Sequence, residues 1–427
     1  MMFVLDEVVN VAELAGLPGF EDATPDIVQG VIDEAAKIIE NTIAPLNETG
    51  DEEGCKFDNG VVTPPSGFKE AYQLYAESGW TALDKSIDFG GQGLPFTLAT
   101  AVSEMLSGGN DAFSLYPGLT NGAYEALLEH GSNELKTIYL EKLTTGEWTG
   151  TMCLTEPQAG SDLSQVRTKA ADNGDGSYAI EGTKIFITAG DHDFTDNIIH
   201  LVLARLPDAP AGVKGISLFV VPKFLVNGDG SLGERNPAVC ASIEHKMGIH
   251  GSCTCVMSFE NATGYLVGNL NEGLRYMFTM MNSARLMVGL QGMGVAERAT
   301  QGAIEYAKER KQGKAINGGA MIVDHPDVRR MIMTMKALTE GSRMVAYDTA
   351  KQFDLSRAHP DEAVRKVAAK QVDLMIPICK AFATDVGCEV ASLGVQVLGG
   401  AGYIRESGME QNMRDAKIFC IYEGTNG

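Results

Sequence analysis

Residues 414–427 read "RDAKIFCIYEGTNG", and one acid stands out. Glu423 follows the apolar run Ile418, Phe419, Cys420, Ile421, Tyr422 and precedes Gly424 and Thr425. An apolar setting desolvates a carboxylate, raises its pKa and makes it a stronger base, and a glycine lets backbone approach a substrate. The same acid also reads as a solvated side chain near a chain end. Other stretches carry groups suited to a ring or a phosphate. "CLTEPQAGSD" (153–162) puts the hydroxyls of Thr155 and Ser161 beside turn N–H groups, or is only a capped loop. "GTKIFITAG" (182–190) is a strand that could simply bury Phe186, and "VQVLGGAGY" (395–403) a helix end capped by glycines. "EHKMGIHGSCTC" (244–255) gathers His245, His250, Cys253 and Cys255. Their spacing fits no standard zinc pattern and strand alternation separates them, so strand packing is the simpler reading.

Three parts must position these groups. Residues 1–148 read helical: Thr24-Pro25 starts a helix with Ile27, Val28, Val31, Ile32, Ala35, Ile38 and Ile39 at helical spacing, ended by Pro45. Further helices are predicted over 66–79, 95–110 and 120–144. Residues 149–268 read as a compact β domain. The turn "NGDG" (173–176) predicts a hairpin between "SQVRTKAAD" and "SYAIEGTKIFIT", and "IIHLVLARL", "KGISLFVVP", "SIEHKMGI" and "TCVMSFENA" predict further strands. Residues 269–427 return to helical pattern, with one long helix over 272–311 and others near 325–353, 361–396 and 408–416. Sites are expected where the parts meet.

The bulk properties narrow the function. A chain of 427 residues, 44% hydrophobic and 21% charged, can bury a large core. No apolar run is long enough to span a bilayer. The N-terminus has acids where a signal peptide needs a basic start, so a cytoplasmic location is expected. The eight scattered cysteines then read as free thiols. A net charge of −22 argues against nucleic-acid binding. "GGQGLP" fails the G-x-G-x-x-G pattern and "GGAGYIRE" follows a helix, which excludes a Rossmann dinucleotide site, and no P-loop motif occurs.

Taken in order, "TEPQAGSD", "GTKIFIT", "LGVQVLGGAGY" and "MRDAKIFCIYEGTNG" resemble segments of the acyl-CoA dehydrogenase family, over nearly the whole chain. The resemblance implies an α+β fold: an N-terminal helical domain (1–148), a middle β-barrel or sandwich domain (149–268) and a C-terminal helical bundle (269–427). It implies FAD-dependent oxidation of an acyl-CoA thioester to the trans-2-enoyl-CoA, with electrons passed to an electron-transfer flavoprotein. Glu423 matches the family's catalytic base, with its N–H and Gly424 beside the thioester oxygen. Flavin-binding roles fall on Met152, Cys153, Leu154 and Thr155 and on Phe186, Ile187 and Thr188, with Phe186 as the ring-packing aromatic and Thr188 as the hydroxyl near flavin N5. Ser161 and Arg285 match substrate-side positions. Arg310 matches an arginine that reaches the FAD pyrophosphate of a neighbouring subunit, Gln396 and Gly400 a partner-subunit cofactor segment, and Thr425 an FAD contact. Because several of these roles cross subunits, a homodimer or homotetramer is implied.

The chain also departs from the family pattern. Members commonly carry "RxQFG" where this sequence has Arg310-Lys311-Gln312-Gly313, and the loop "NGDGSLGERN" is longer than in the small fatty-acyl enzymes. These features, with "FVLDEV" and "IEHKMGIHGS", resemble a larger subfamily with an extra C-terminal domain that includes the 3-methylmercaptopropionyl-CoA dehydrogenases of dimethylsulfoniopropionate breakdown. A medium- or long-chain fatty acyl-CoA, an acyl-CoA oxidase reaction and a non-catalytic acyl-CoA or flavin scaffold are the alternatives. The family continues beyond the position of Gly427, so a chain ending there is expected to retain FAD weakly and to turn over slowly.

Overall fold

The computed structural model describes residues 1–426. The N-terminal part contains α1 (Pro25–Ile38), α2 (Leu46–Glu53), α3 (Phe68–Glu77), α4 (Phe96–Gly109), α5 (Asp111–His130) and α6 (Asn133–Thr145), and β1 (Lys56–Asp58) pairs with β2 (Val61–Thr63) between α2 and α3. α1 carries Pro at its first position and buries Val28, Ile32 and Ala35, the face its spacing predicts. Where the sequence predicts one helix over 120–144, the chain makes two. The Asn110 side chain accepts from the Phe113 N–H and starts α5 early, and Ser132 accepts from the Leu135 N–H and starts α6 afresh after Gly131. α2 is too polar to show an apolar stripe, and it escaped prediction.

The middle part is a seven-stranded sheet. Its strands are β3 (Trp148–Cys153), β4 (Lys169–Asp172), β5 (Tyr178–Thr188), β6 (Asn197–Ala204), β7 (Ser217–Pro222), β10 (Ala238–Ile243) and β11 (Thr254–Val267), while β8 (Phe224–Val226) and β9 (Leu232–Arg235) form a separate hairpin. The path runs β3-β6-β7-β11-β5-β4, with β10 also on β11; β3 and β6 are parallel and every other pair antiparallel. The predicted β4–β5 hairpin is present. β11 pairs with β5 as far as Gly264, with an irregularity between Glu260 and Ala262, and then with β7 at Tyr265–Val267. "SIEHKMGI" is not a strand throughout. β10 stops at Ile243, and the following loop leaves the sheet because its polar groups have partners elsewhere: the Cys55 N–H donates to the His250 carbonyl and the Ile249 N–H to Asp415 Oδ1 at 2.6 Å.

The C-terminal part is built from α7 (Gly273–Glu309), α8 (Pro326–Ala358), α9 (Glu362–Leu398) and α10 (Met409–Phe419). α7 and α9 run side by side in the same direction: Gly289 faces Cys379, Gly292 faces Ala383 and Gly387, and Ala299 faces Gly394. The approach is close. A Cβ on Gly292 would lie 2.5 Å from the Ala383 carbonyl oxygen, and one on Gly387 2.7 Å from the Gly292 carbonyl oxygen. No helix of the described residues is long and apolar enough to cross a membrane.

The bundle also finishes the N-terminal part. α4 follows Pro95 and has no side-chain cap of its own. Asp354 of α8 supplies one, accepting the Phe96 and Thr97 N–H groups at 2.8 and 2.9 Å and the Thr97 hydroxyl at 2.5 Å. Deeper in the same contact, Arg343 bonds Glu104, Glu297 and Glu340. Asp354→Ala is expected to destabilise the protein by about 1–2 kcal/mol, the upper range for a lost helix cap, read as a lower urea midpoint at unchanged slope.

Candidate active site

α10 ends at Phe419, and the chain then runs against the middle stretches of α7 and α9. Lys380 of α9, buried in an otherwise apolar stretch, donates to the Gly424 carbonyl at 2.6 Å and to Asn426 Oδ1 at 2.8 Å. Arg285 of α7 donates from Nε to the Glu423 carbonyl at 3.3 Å. Asn426 gives its backbone N–H to the Cys420 carbonyl and its amide to Thr384 and Asp385. The Tyr422 hydroxyl donates to Gln291 Oε1 at 2.5 Å. So held, Glu423 adopts φ 56°, a left-handed conformation that a non-glycine residue rarely takes, beside Gly424 at φ 98°.

The carboxyl group itself is poised. Glu423 is only part-buried by surface, yet protein surrounds it closely enough that desolvation pushes its pKa up to about 7, against the opposing pull of Arg285 and Lys380. The two cations bond backbone carbonyls rather than the carboxylate, so they fix the segment without neutralising the acid.

The candidate flavin residues on the sheet divide into two sets. Cys153, Leu154 and Ile187 are buried in the core, so only their backbone is available to a ligand. Met152, Thr155 and Thr188 are part-exposed, and Phe186 is 59% exposed at φ 59°. Phe186 therefore does not pack in the core, the simpler role its strand allowed. A bulky side chain held outward in a left-handed conformation, at the end of an otherwise regular strand, presents an aromatic face. The two stretches are laced together: the Ile185 N–H donates to the Thr155 carbonyl at 2.9 Å, and Lys184 Nζ to the Leu154 carbonyl at 2.9 Å. Lys184 also pairs with Glu156 at 2.8 Å, both fully buried, and Glu156 accepts the Arg167 and Thr168 N–H groups. Burial alone would raise the Glu156 pKa; Lys184 and these donors bring it down to about 2. Ser161 is exposed on the loop that Glu156 anchors.

Arg310, Gln396 and Gly400 lie elsewhere. Arg310 is 25 residues along from Arg285 at the far end of α7, a separation of roughly 37 Å at helical rise, and Gln396 is about 24 Å along α9 from Lys380. Since α7 and α9 are parallel, Arg310, Gln396 and Gly400 share the C-terminal end of the pair, all exposed, while Arg285 and Lys380 meet Glu423 nearer the middle of the two helices. Thr425 is exposed next to Gly424.

The remaining candidates have structural partners. His250 bonds Asp51 at 2.8 Å and the Lys246 carbonyl at 2.8 Å. Cys253 and Cys255 are buried, and the described residues hold no group of three or more His, Cys, Asp or Glu arranged to bind a metal. Sequence reasoning missed Lys380, Gln291 and the Glu156–Lys184 pair. For the first two a signal existed: each is a lone polar residue inside an apolar helical run.

Comparison with known proteins shows the family of the chain. Family models of the acyl-CoA dehydrogenase N-terminal, middle and C-terminal domains match residues 28–147, 151–262 and 271–427. The chain belongs to the acyl-CoA dehydrogenase family, and the reaction of its class is acyl-CoA dehydrogenation. It is 48% identical over its whole length to the 3-methylmercaptopropionyl-CoA dehydrogenase of Ruegeria pomeroyi, covering 73% of that protein. It is 37% identical to a butyryl-CoA dehydrogenase of Syntrophomonas wolfei, with 99% of this chain and 72% of the relative aligned. Among solved structures, butyryl-CoA dehydrogenase from Megasphaera elsdenii superposes with a TM-score of 0.78 at 28% identity, covering 94% of this chain and 95% of that one.

Glu156→Ala would leave the Lys184 ammonium buried without its partner. The expected cost is about 3–5 kcal/mol, measured as a fall in the denaturant midpoint, together with loss of flavin from the purified protein.

Proposed function

We propose that the chain dehydrogenates 3-methylmercaptopropionyl-CoA to the trans-2-enoyl thioester, with Glu423 as the base. The observation that carries this is the Glu423 carboxylate, deep but reachable, on a strained backbone that two cations hold by its carbonyls. A carboxylate poised near neutrality removes a weakly acidic α-proton better than one ionised at ordinary carboxylate strength. The Glu423 N–H, fixed by the same clamp, is the donor for the thioester oxygen as negative charge develops there. Arg285 acts through the Glu423 carbonyl, and Gly424 leaves room for the thioester; Ser161 takes the CoA portion.

FAD is the cofactor that fits. Phe186 offers a ring face, Thr188 and Thr155 offer hydroxyls, and Met152 and the 153–154 backbone complete the wall. Bound there, FAD supplies the two-electron acceptor for the hydride that leaves the acyl β-carbon, and an electron-transfer flavoprotein takes the electrons onward. Arg310, Gln396, Gly400 and Thr425 complete the cofactor site between copies. The separation of Arg310 and Gln396 from Glu423 along two rigid helices supports a homodimer or homotetramer, in which a second copy brings its far end to the flavin. The division at 148/149 and 268/269 is retained as the domain assignment. The thioether substrate is favoured over fatty acyl-CoA by the 48% identity across the whole chain.

The test is anaerobic flavin bleaching of the FAD-supplemented protein with 3-methylmercaptopropionyl-, butanoyl-, octanoyl- and palmitoyl-CoA. The first is expected to bleach fastest, and Glu423→Gln to slow bleaching by about 10²–10⁴-fold. Fastest bleaching by a fatty acyl-CoA would replace the substrate; bound flavin that no thioester bleaches would overturn the enzyme reading. Because the ionised carboxylate is the competent form, the wild-type rate should rise as pH increases through about 7. Stoichiometric peroxide in air would make the protein an oxidase.

A further inference from the structure

Behind the candidate base lies a polar cluster that the proposed reaction does not use. Of the seven buried side-chain nitrogen and oxygen atoms that lack a hydrogen-bond partner among the described residues, four belong to it: both carboxyl oxygens of Asp111, Nε2 of Gln291 and Nη2 of Arg298. Buried groups are seldom left so, and their clustering asks for a cause. Gln291 Oε1 accepts from the Tyr422 hydroxyl at 2.5 Å, and the Gln291 amide faces the Asp111 carboxyl. Arg298 bonds Asn412 through Nε at 2.6 Å and lies 3.9 Å from Asp415 through Nη2.

Charge balance assigns the proton. Two fully buried carboxyls, Asp111 on α5 and Asp415 on α10, face one guanidinium, Arg298 on α7; Arg414, which also acts on Asp415, is already paired with Asp51 and Glu410. One cation cannot hold two buried carboxylates ionised side by side. Burial pushes both acids up, but Asp415 accepts the Ile249 N–H at 2.6 Å and the Gln411 amide at 3.3 Å, which oppose that push and favour its anion; Asp111 has no such donors. The proton therefore stays on Asp111.

Resting on the assignment of Glu423 as base, we propose that Asp111 and Gln291 are positioning residues for it: Gln291 holds the Tyr422 hydroxyl, which sets the backbone of the next residue, and Asp111, a neutral acid beside the Gln291 amide, keeps a second carboxylate charge away from that contact. Burial and the Asp415 carboxylate push the Asp111 pKa up to about 8, consistent with a proton kept at neutral pH. The charged groups around the chain of contacts are Arg298 and Asp415 at Asp111, Asp51 and Arg414 at Asp415, Asp111, Asp415 and Glu423 at Tyr422, and Arg285 and Lys380 at Glu423. The left-handed conformation of Glu423 is then maintained from both sides, by the two cations on its carbonyl side and by the Tyr422 tether behind it.

The experiment is stopped-flow flavin reduction of the FAD-loaded protein by 3-methylmercaptopropionyl-CoA, from pH 5.5 to 9.5, in wild type, Y422F, Q291M, Y422F/Q291M, D111A, D111N and E423Q. Flavin content and circular dichroism serve as fold controls. Y422F and Q291M are each expected to slow reduction about tenfold, as misplacement of a reacting group does. The double variant should be no slower than the worse single one, because both cut one tether. D111A should slow reduction similarly and D111N rescue it, since an amide keeps the acid's shape and neutrality. Wild type should lose rate above about pH 8 as Asp111 ionises, and D111N should not. Multiplying losses in the double variant, or superimposable wild-type and D111N profiles, would overturn the proposal. If D111A loses its flavin, the Y422F/Q291M cycle decides alone. Failure of the base assignment looks different: E423Q then reduces its flavin as fast as wild type, whatever the other variants do.

Discussion

The candidate site depends on the contact between α7 and α9 at Gly292 and Gly387. Their backbones meet where any Cβ would strike a carbonyl oxygen, so the two long helices are locked in register and in parallel. That register places Arg285 and Lys380 together near the middle of the pair, where they clamp the segment bearing Glu423. It also sends Arg310 and Gln396 together to the C-terminal end. One steric constraint thus decides both which groups surround Glu423 and which lie far along the helices from it. Substituting either glycine would displace a clamp about 10 Å away along its helix axis, although neither touches the site.

A second theme is that the site's charges are spent on backbone. Lys380 and Arg285 bond main-chain carbonyls, Glu156 holds main-chain N–H groups of the 153–168 loop, and Asp415 takes the Ile249 N–H from the loop after β10. Buried ions used in this way cost desolvation, and they yield a single shape for loops that have no hydrophobic core of their own. Glu423 is the exception: its carboxylate is left unneutralised, and that is why burial moves it toward neutrality.

The helices and most strands could be read from the sequence because they follow apolar periodicity, as in α1 and the β4–β5 hairpin. The exceptions have identifiable causes. α2 is held by tertiary contacts rather than a stripe, and Ile243 ends β10 because its successors bond α2 and α10. For the site, Glu423 and the ordered segments could be found, but the disposition of Phe186 could not. In the run Ile185-Phe186-Ile187 every residue is apolar, so alternation gives no clue to which one points out, and a positive φ leaves no mark in composition. Gln291 and Asp111 meet Tyr422 from 131 and 311 residues away in sequence, and only the fold brings them together.

The Asp354 cap on α4 has a consequence for how the chain is made. It joins residues 257 and 258 positions apart, so α4 leaves the ribosome with its first N–H groups unanswered and waits for most of the polypeptide to follow. Closing so long a loop is slow and comes late. During synthesis, at roughly 5–20 residues per second, that wait lasts on the order of 10–50 s. The N-terminal helices are thus a nascent-chain surface open to chaperones before they become one wall of an enzyme.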